Sequence, residues 1–186
     1  MKRFAASLLA LLLFCTPALA AKPKVGDVLP DLTVKAAPQP AEAAYLGLPD
    51  GTQSFRLSQI KAEVLLVEIF SMYCPHCQAE AKPLGRVFER LMALPQSKTL
   101  KFLGIGAGNS AYEVDTFRLL YEIPMPLFQD GDYELLKAFG TTGTPTYLVL
   151  KPAADGRGLK VLFVQEGRFE DEQTFLELIL RASGVQ

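Results

Sequence analysis

Tryptophan is absent from the 186 residues, histidine occurs once and cysteine three times. Each scarcity excludes something. A structural zinc site needs about four ligands, mostly Cys and His, and this chain cannot fill one without borrowing acids or a partner chain. A c-type haem needs Cys-x-x-Cys-His, and here Gln78 follows Cys77. Charge of either sign is not in excess, with 19 Lys and Arg against 20 Asp and Glu. The basic footprint of a nucleic-acid binder is therefore missing. Long apolar runs are scarce too: Leu8 to Phe14 is the longest, and no later run is long enough to span a bilayer.

What is present begins with that run. Lys2 and Arg3 precede it and Ala18-Leu19-Ala20 follows it, the pattern of a signal peptide cleaved after Ala20. Residues 1–20 are thus expected to be removed and residues 21–186 to form one domain of an exported, periplasmic protein. A retained membrane anchor is the alternative. Cys15 follows Phe14, whereas a lipidated cysteine usually follows a small residue. It reads as apolar filler that leaves with the leader. The mature chain then keeps an even pair, Cys74 and Cys77, in a compartment where disulfides persist.

Hydrophobic patterning predicts an α/β layout. Residues 25–34 suggest a short strand, residues 35–51 a loop or irregular hairpin ending in the Pro49-Asp50-Gly51 turn, and Phe55 with Leu57 another short strand. Glu63 to Phe70 reads as a buried central strand interrupted only by Glu68. A helix follows, with Leu84, Val87, Phe88, Leu91 and Met92 on one face, a kink expected at Pro83 and an end at Pro95. Leu100 to Gly108 reads as a second buried strand. The next helix carries Val114, Phe117, Leu120 and Tyr121, and a short strand and short helix lead to Gly140. Two strands, predicted to pair as an antiparallel hairpin, and a last helix capped by Asp171 complete the order. The expected fold is a central mixed sheet flanked by helices.

The chemistry concentrates in "FSMYCPHCQAE", residues 70–80. A strand that ends before Cys-Pro-His-Cys places Cys74 at a helix N-terminus, where unpaired N–H groups and the helix dipole favour a thiolate. Pro75 suits the first helical turn. His76 adds a positive charge or an N–H donor that would tune the pair. A purely structural disulfide would close too small a ring to stabilise much. Glu68, if buried, is a proton acceptor for Cys77 with a raised pKa, unless it escapes to solvent. Glu80 is a second candidate acid, or simply a first-turn residue serving the dipole. Thr144-Pro145 opens a strand after a glycine turn, and a cis bond is expected there.

These blocks together resemble the thioredoxin-like superfamily, and more narrowly the exported TlpA/ResA-type thiol:disulfide oxidoreductases. "VGDVLPDLTV", "LSQIKAEVLLVEIFSMYCPHCQAEAKPL" and "FGTTGTPTYLVLK" carry the resemblance over roughly residues 25–182. It implies a thioredoxin-like fold with an N-terminal extension (21–62) and an insertion (about 107–130) between the cysteines and a cis-proline. It also implies redox-active Cys74 and Cys77, Glu68 and Glu80 as acids, and Thr144 and Pro145 as the substrate-binding edge. No cofactor or metal is implied. The implied partners are protein dithiols or disulfides and a membrane or soluble redox partner, with the chain itself a monomer. Cytochrome c maturation is the process the resemblance points to. Two departures stand out: "FSMYC" replaces the usual Trp-rich approach, and Pro75-His76 is the dipeptide of the oxidant DsbA, whereas Thr144 is thioredoxin-like.

The reading is therefore a protein disulfide reductase, with a DsbA-like dithiol oxidase as the alternative. A peroxiredoxin-type peroxidase usually has a Thr just before its cysteine, where this chain has Ser71-Met72-Tyr73. A copper-binding relative usually adds a distant histidine, which this chain lacks.

Overall fold

The computed structural model describes residues 22–153 and 158–185. The expected leader and Cys15 lie outside them. The first elements among the described residues are two short strands, β1 (Val28–Leu29) and β2 (Thr33–Val34), where one was expected. The stretch expected as loop or hairpin instead forms a helix, α1 (Pro40–Leu46). Its start is stabilised by Pro40 at the first position and by Glu42, whose carboxylate accepts from the Gln39 amide at 2.8 Å. Gly47, at φ 67°, ends it in the left-handed region. The Pro, Ala and Gly content that suggested a loop is here the punctuation at the two ends of a helix.

β3 (Phe55–Arg56) pairs with β2 and leads through a turn of 3₁₀ helix into β4 (Val64–Phe70). Every residue of β4 is buried. α2 (Pro75–Met92) follows and runs through Pro83, ending ahead of Pro95. Leu84, Val87, Phe88 and Leu91 are buried as the spacing predicted, whereas Met92 is exposed. β5 (Leu100–Ala107), α3 (Ala111–Tyr121), β6 (Leu127–Asp130) and α4 (Glu134–Phe139) complete the first half of the sheet. On α3, Val114 and Phe117 are buried, but Leu120 points outward. It lies at the flank of the apolar stripe, which no element among the described residues covers. β7 (Thr146–Pro152), β8 (Leu159–Glu166) and α5 (Glu172–Ser183) close the fold.

Six strands form one sheet in the order β1-β8-β7-β4-β5-β6. β4, β5 and β6 run parallel; β7 and β8 are the expected antiparallel hairpin, and β1 joins its edge. Strand alternation divides the core in two. Leu66, Phe70, Phe102, Tyr147 and Val149 face α2, α3 and α5. Leu65, Val67, Ile69, Leu148 and Leu150 face α4 and the N-terminal segment, which contributes Val34, Leu46, Phe55 and Leu57. Glu68 falls, by the same alternation, on the α2 side.

Candidate active site

β4 is central and parallel to β5, so its C-terminal end opens where the next helix begins. Cys74 is the N-cap of α2 and Pro75 its first residue. The loop between strand and helix is tied down from two sides. The Met72 amide donates to Asn109 Oδ1 at 2.9 Å, and Gln78 Nε2 donates to the Met72 carbonyl at 2.7 Å. Tyr73, exposed beside Cys74, bonds to the Glu113 carboxylate on α3 through its hydroxyl.

Cys74 is partly exposed and Cys77, one turn deeper, is 1% exposed. The Thr144-Pro145 bond is cis, as expected, and Cys74 Sγ lies 3.2 Å from the Thr144 carbonyl, to which the thiol donates. The structure thus brings Cys74, Cys77, Thr144 and Pro145 to one place. His76 is also there, but its imidazole points into solvent. The group that reaches Cys74 from this residue is its backbone amide.

The two thiols are driven apart electrostatically. Burial opposes ionisation of Cys74. The Thr144 hydroxyl, the amide and thiol of Cys77 and the His76 amide outweigh it and lower this thiol below its ordinary value. Burial, and after it the charge of Glu68, push Cys77 well above the ordinary thiol range.

Both acids are buried. Glu68 is 4% exposed and Glu80 is 2% exposed. Glu80 lies beyond the first turn of α2, so it does not serve the helix dipole; it points into the core. There it accepts the Tyr147 hydroxyl at 2.6 Å on Oε2 and the Phe169 amide at 2.7 Å on Oε1. Burial raises Glu80, opposed by those two donors and by the positive charges of Arg168 and His76. Burial first, then the charges of Glu80 and Cys74, push Glu68 up to about 8. Tyr147, in register with Glu68 across β4 and β7, lies against both carboxyls and is itself raised, chiefly by burial.

The sequence reading missed Tyr147, Phe169 and Asn109. Tyr147 had a signal: a tyrosine in an apolar strand needs a partner for its hydroxyl. The other two act through a backbone amide and a loop contact, which residue type does not announce.

A mixed sheet of this order, with a dithiol at the N-terminus of the helix after its central strand and a cis-proline beside it, defines a thioredoxin-like protein. The profile of the AhpC/TSA family matches residues 25–164, and the chain belongs to that family. It is similar to thiol-disulfide oxidoreductase ResA of Bacillus subtilis (strain 168), 22% identical over 106 residues that cover 57% of this chain and 56% of ResA. The alignment thus spans little more than half of that relative. In fold it resembles a thiol:disulfide interchange protein of the thioredoxin family from Chlorobium tepidum TLS, with a TM-score of 0.60 at 21% identity, covering 87% of this chain and 99% of that one. StoA from Bacillus subtilis gives a TM-score of 0.56 at 16% identity, covering 83% of this chain and 98% of StoA. Among the described residues, no helix is long and apolar enough to cross a membrane.

Proposed function

We propose that the chain is an exported thiol:disulfide oxidoreductase that reduces protein disulfides through Cys74 and Cys77. The observation that carries this is the pairing of unlike thiols: Cys74 open, capped by a helix and lowered, and Cys77 buried and raised with acids behind it. The Cys74 thiolate attacks a substrate disulfide, forming a mixed disulfide and releasing one substrate thiolate, which takes up a proton. Cys77 then gives its proton to a buried carboxylate, and its sulfur attacks Cys74. The second substrate thiolate leaves, and the protein's pair is now a disulfide. Two electrons have passed to the substrate. The Thr144-Pro145 backbone beside Cys74 would pair with an extended substrate segment. A dithiol partner, membrane-bound or soluble, must then return two electrons.

The direction rests on Cys77. A thiol with a high pKa is a poor leaving group, so the disulfide it forms resists attack. Pro75-His76 favours the oxidase reading through its likeness to DsbA. The exposed His76 ring places that influence at the mouth of the site, not behind Cys77. Export rests on the residue pattern of 1–20, and residues 21–186 are taken as one domain.

The test is trapping. Cys77→Ser protein should accumulate a mixed disulfide through Cys74 with a disulfide-containing protein substrate, and Cys74→Ser protein should accumulate none. Trapping by neither variant, with the wild type unable to reduce the same substrate, would sink the proposal.

A further inference from the structure

Asn109 is fully buried, although it sits in the connection between β5 and α3. Gly108, at φ +65°, turns the chain there, and the Tyr133 ring lies over it where a Cβ would have no room. The Asn109 amide returns to the Gly106 carbonyl at 3.1 Å, and its side chain reaches the approach to Cys74. There Oδ1 accepts the Met72 amide at 2.9 Å, while Nδ2 is buried with no partner among the described residues. A buried unpaired donor costs stability. Turning the carboxamide over would set Nδ2 against the Met72 amide, donor to donor, so this one bond fixes the side chain's orientation.

That bond lands on a particular peptide. The Ser71–Met72 unit gives its N–H to Asn109, and its carbonyl accepts the Cys74 amide at 3.0 Å. Gln78 Nε2 holds the following peptide, through the Met72 carbonyl, so the two clamps are not interchangeable. Ser71 also turns its own amide to the Cys77 sulfur, and the Cys74 sulfur faces the amides of His76 and Cys77. Asn109 is thus linked to the backbone of Cys74 through a single rigid peptide plane. Asn109 carries no charge. The titratable and charged groups around Cys74, among the described residues, are Tyr73, His76 and Cys77 of the loop and α2, Glu68 of β4 and Glu113 of α3. A neutral replacement of Asn109 leaves each of them in place.

Building on the oxidoreductase reading, we infer that Asn109 is a positioning residue for the dithiol: through the Ser71–Met72 peptide it holds Cys74 at the N-terminus of α2, with its sulfur against the His76 and Cys77 amides. The clamp comes from the β5–α3 connection, so it acts on Cys74 through the backbone of the loop. Without it the Ser71 carbonyl is free to tilt. Cys74 then leaves its capping position, and the amides that stabilise its thiolate lose their aim.

The rate at which a small alkylating reagent modifies Cys74 in the reduced protein, followed against pH, reads this without a substrate. Asn109→Leu has similar bulk and no acceptor. Its profile should move up by about half to one pH unit, roughly the three- to tenfold change in thiolate that one lost hydrogen bond represents. Leu46→Ala is the comparison, because it loosens the core on the opposite face of the sheet. It should lower the urea midpoint and leave the Cys74 profile unmoved. Should the leucine variant not fold, Asn109→Ala adds no bulk and is read in the same way. Hydrogen exchange of the unaltered protein gives a second measurement, in which the Met72 amide should be protected. An unmoved profile in Asn109→Leu or Asn109→Ala, an equal shift in Leu46→Ala, or solvent-like exchange at Met72 would overturn the assignment. A profile that shifts as expected, in a protein that reduces no disulfide and traps no substrate, would count against the oxidoreductase reading and leave the role of Asn109 standing.

Discussion

At the residue scale, Glu68 makes a pH-dependent statement about stability. Its folded pKa of about 8 lies above its ordinary value of 4.5. Between those pH values the folded chain holds a proton that the unfolded chain has lost. Stability is therefore greatest below the ordinary carboxyl pKa and falls as pH rises towards 8, at up to about 1.4 kcal/mol per pH unit. Glu80 is raised as well and acts in the same direction. Glu68→Gln protein should lose most of this slope, so its margin over wild type should grow from pH 5 to pH 8 in urea titrations. Parallel curves would show that Glu68 is not the buried acid described. Cys74 and Cys77 divide in the same way by reactivity: at pH 7 a small alkylating reagent should modify Cys74 at least tenfold faster than Cys77, because only Cys74 is both exposed and lowered.

At the element scale, the site depends on how β4, β5 and α2 fit. Phe70, on the face that carries Glu68, lies against two glycines of β5. A Cβ on Gly104 would meet Leu127 at 2.5 Å and the Phe70 ring at 3.4 Å; one on Gly106 would meet Val114 at 2.9 Å. Gly104→Ala is thus an overpacking change in a closed core. It should cost about 1–3 kcal/mol, seen as a lowered urea midpoint with unchanged m-value. Much of this architecture was legible beforehand. The order of elements from β4 to α5, the hairpin β7–β8 and the cap at Asp171 follow from periodicity and punctuation, since those segments are long and their patterns unambiguous. α1 was not legible, because two prolines and five alanines within residues 36–44 resemble a loop until the capping interactions are seen. Leu120 was misplaced because spacing gives a face without telling how wide a strip its neighbours cover. Of the site, the cysteines, the proline and both acids could be named from residue type. The Tyr147–Glu80–Phe169 arrangement could not, since it joins residues far apart in sequence through one hydroxyl and one backbone amide.

At the scale of the whole molecule, the sheet has apolar residues on both faces, and each face needs its cover. The N-terminal segment supplies Leu32, Val34, Leu46, Phe55 and Ile60 to the face opposite α2. Deleting residues 22–62 should therefore expose that face and yield a chain that binds hydrophobic dyes and loses cooperative unfolding, although both cysteines remain. A truncated chain with a sharp transition would show the segment to be dispensable. The proposed direction of electron flow rests on the same whole-molecule arrangement, in which the sheet and α2 bury Cys77 and the acids together while leaving Cys74 at the rim. Reduction potential measures this most directly. The Cys74/Cys77 pair, equilibrated with a dithiol buffer of known potential, is expected near that of a reductant such as thioredoxin, about −270 mV. A value near that of the oxidant DsbA, about −120 mV, would contradict the account.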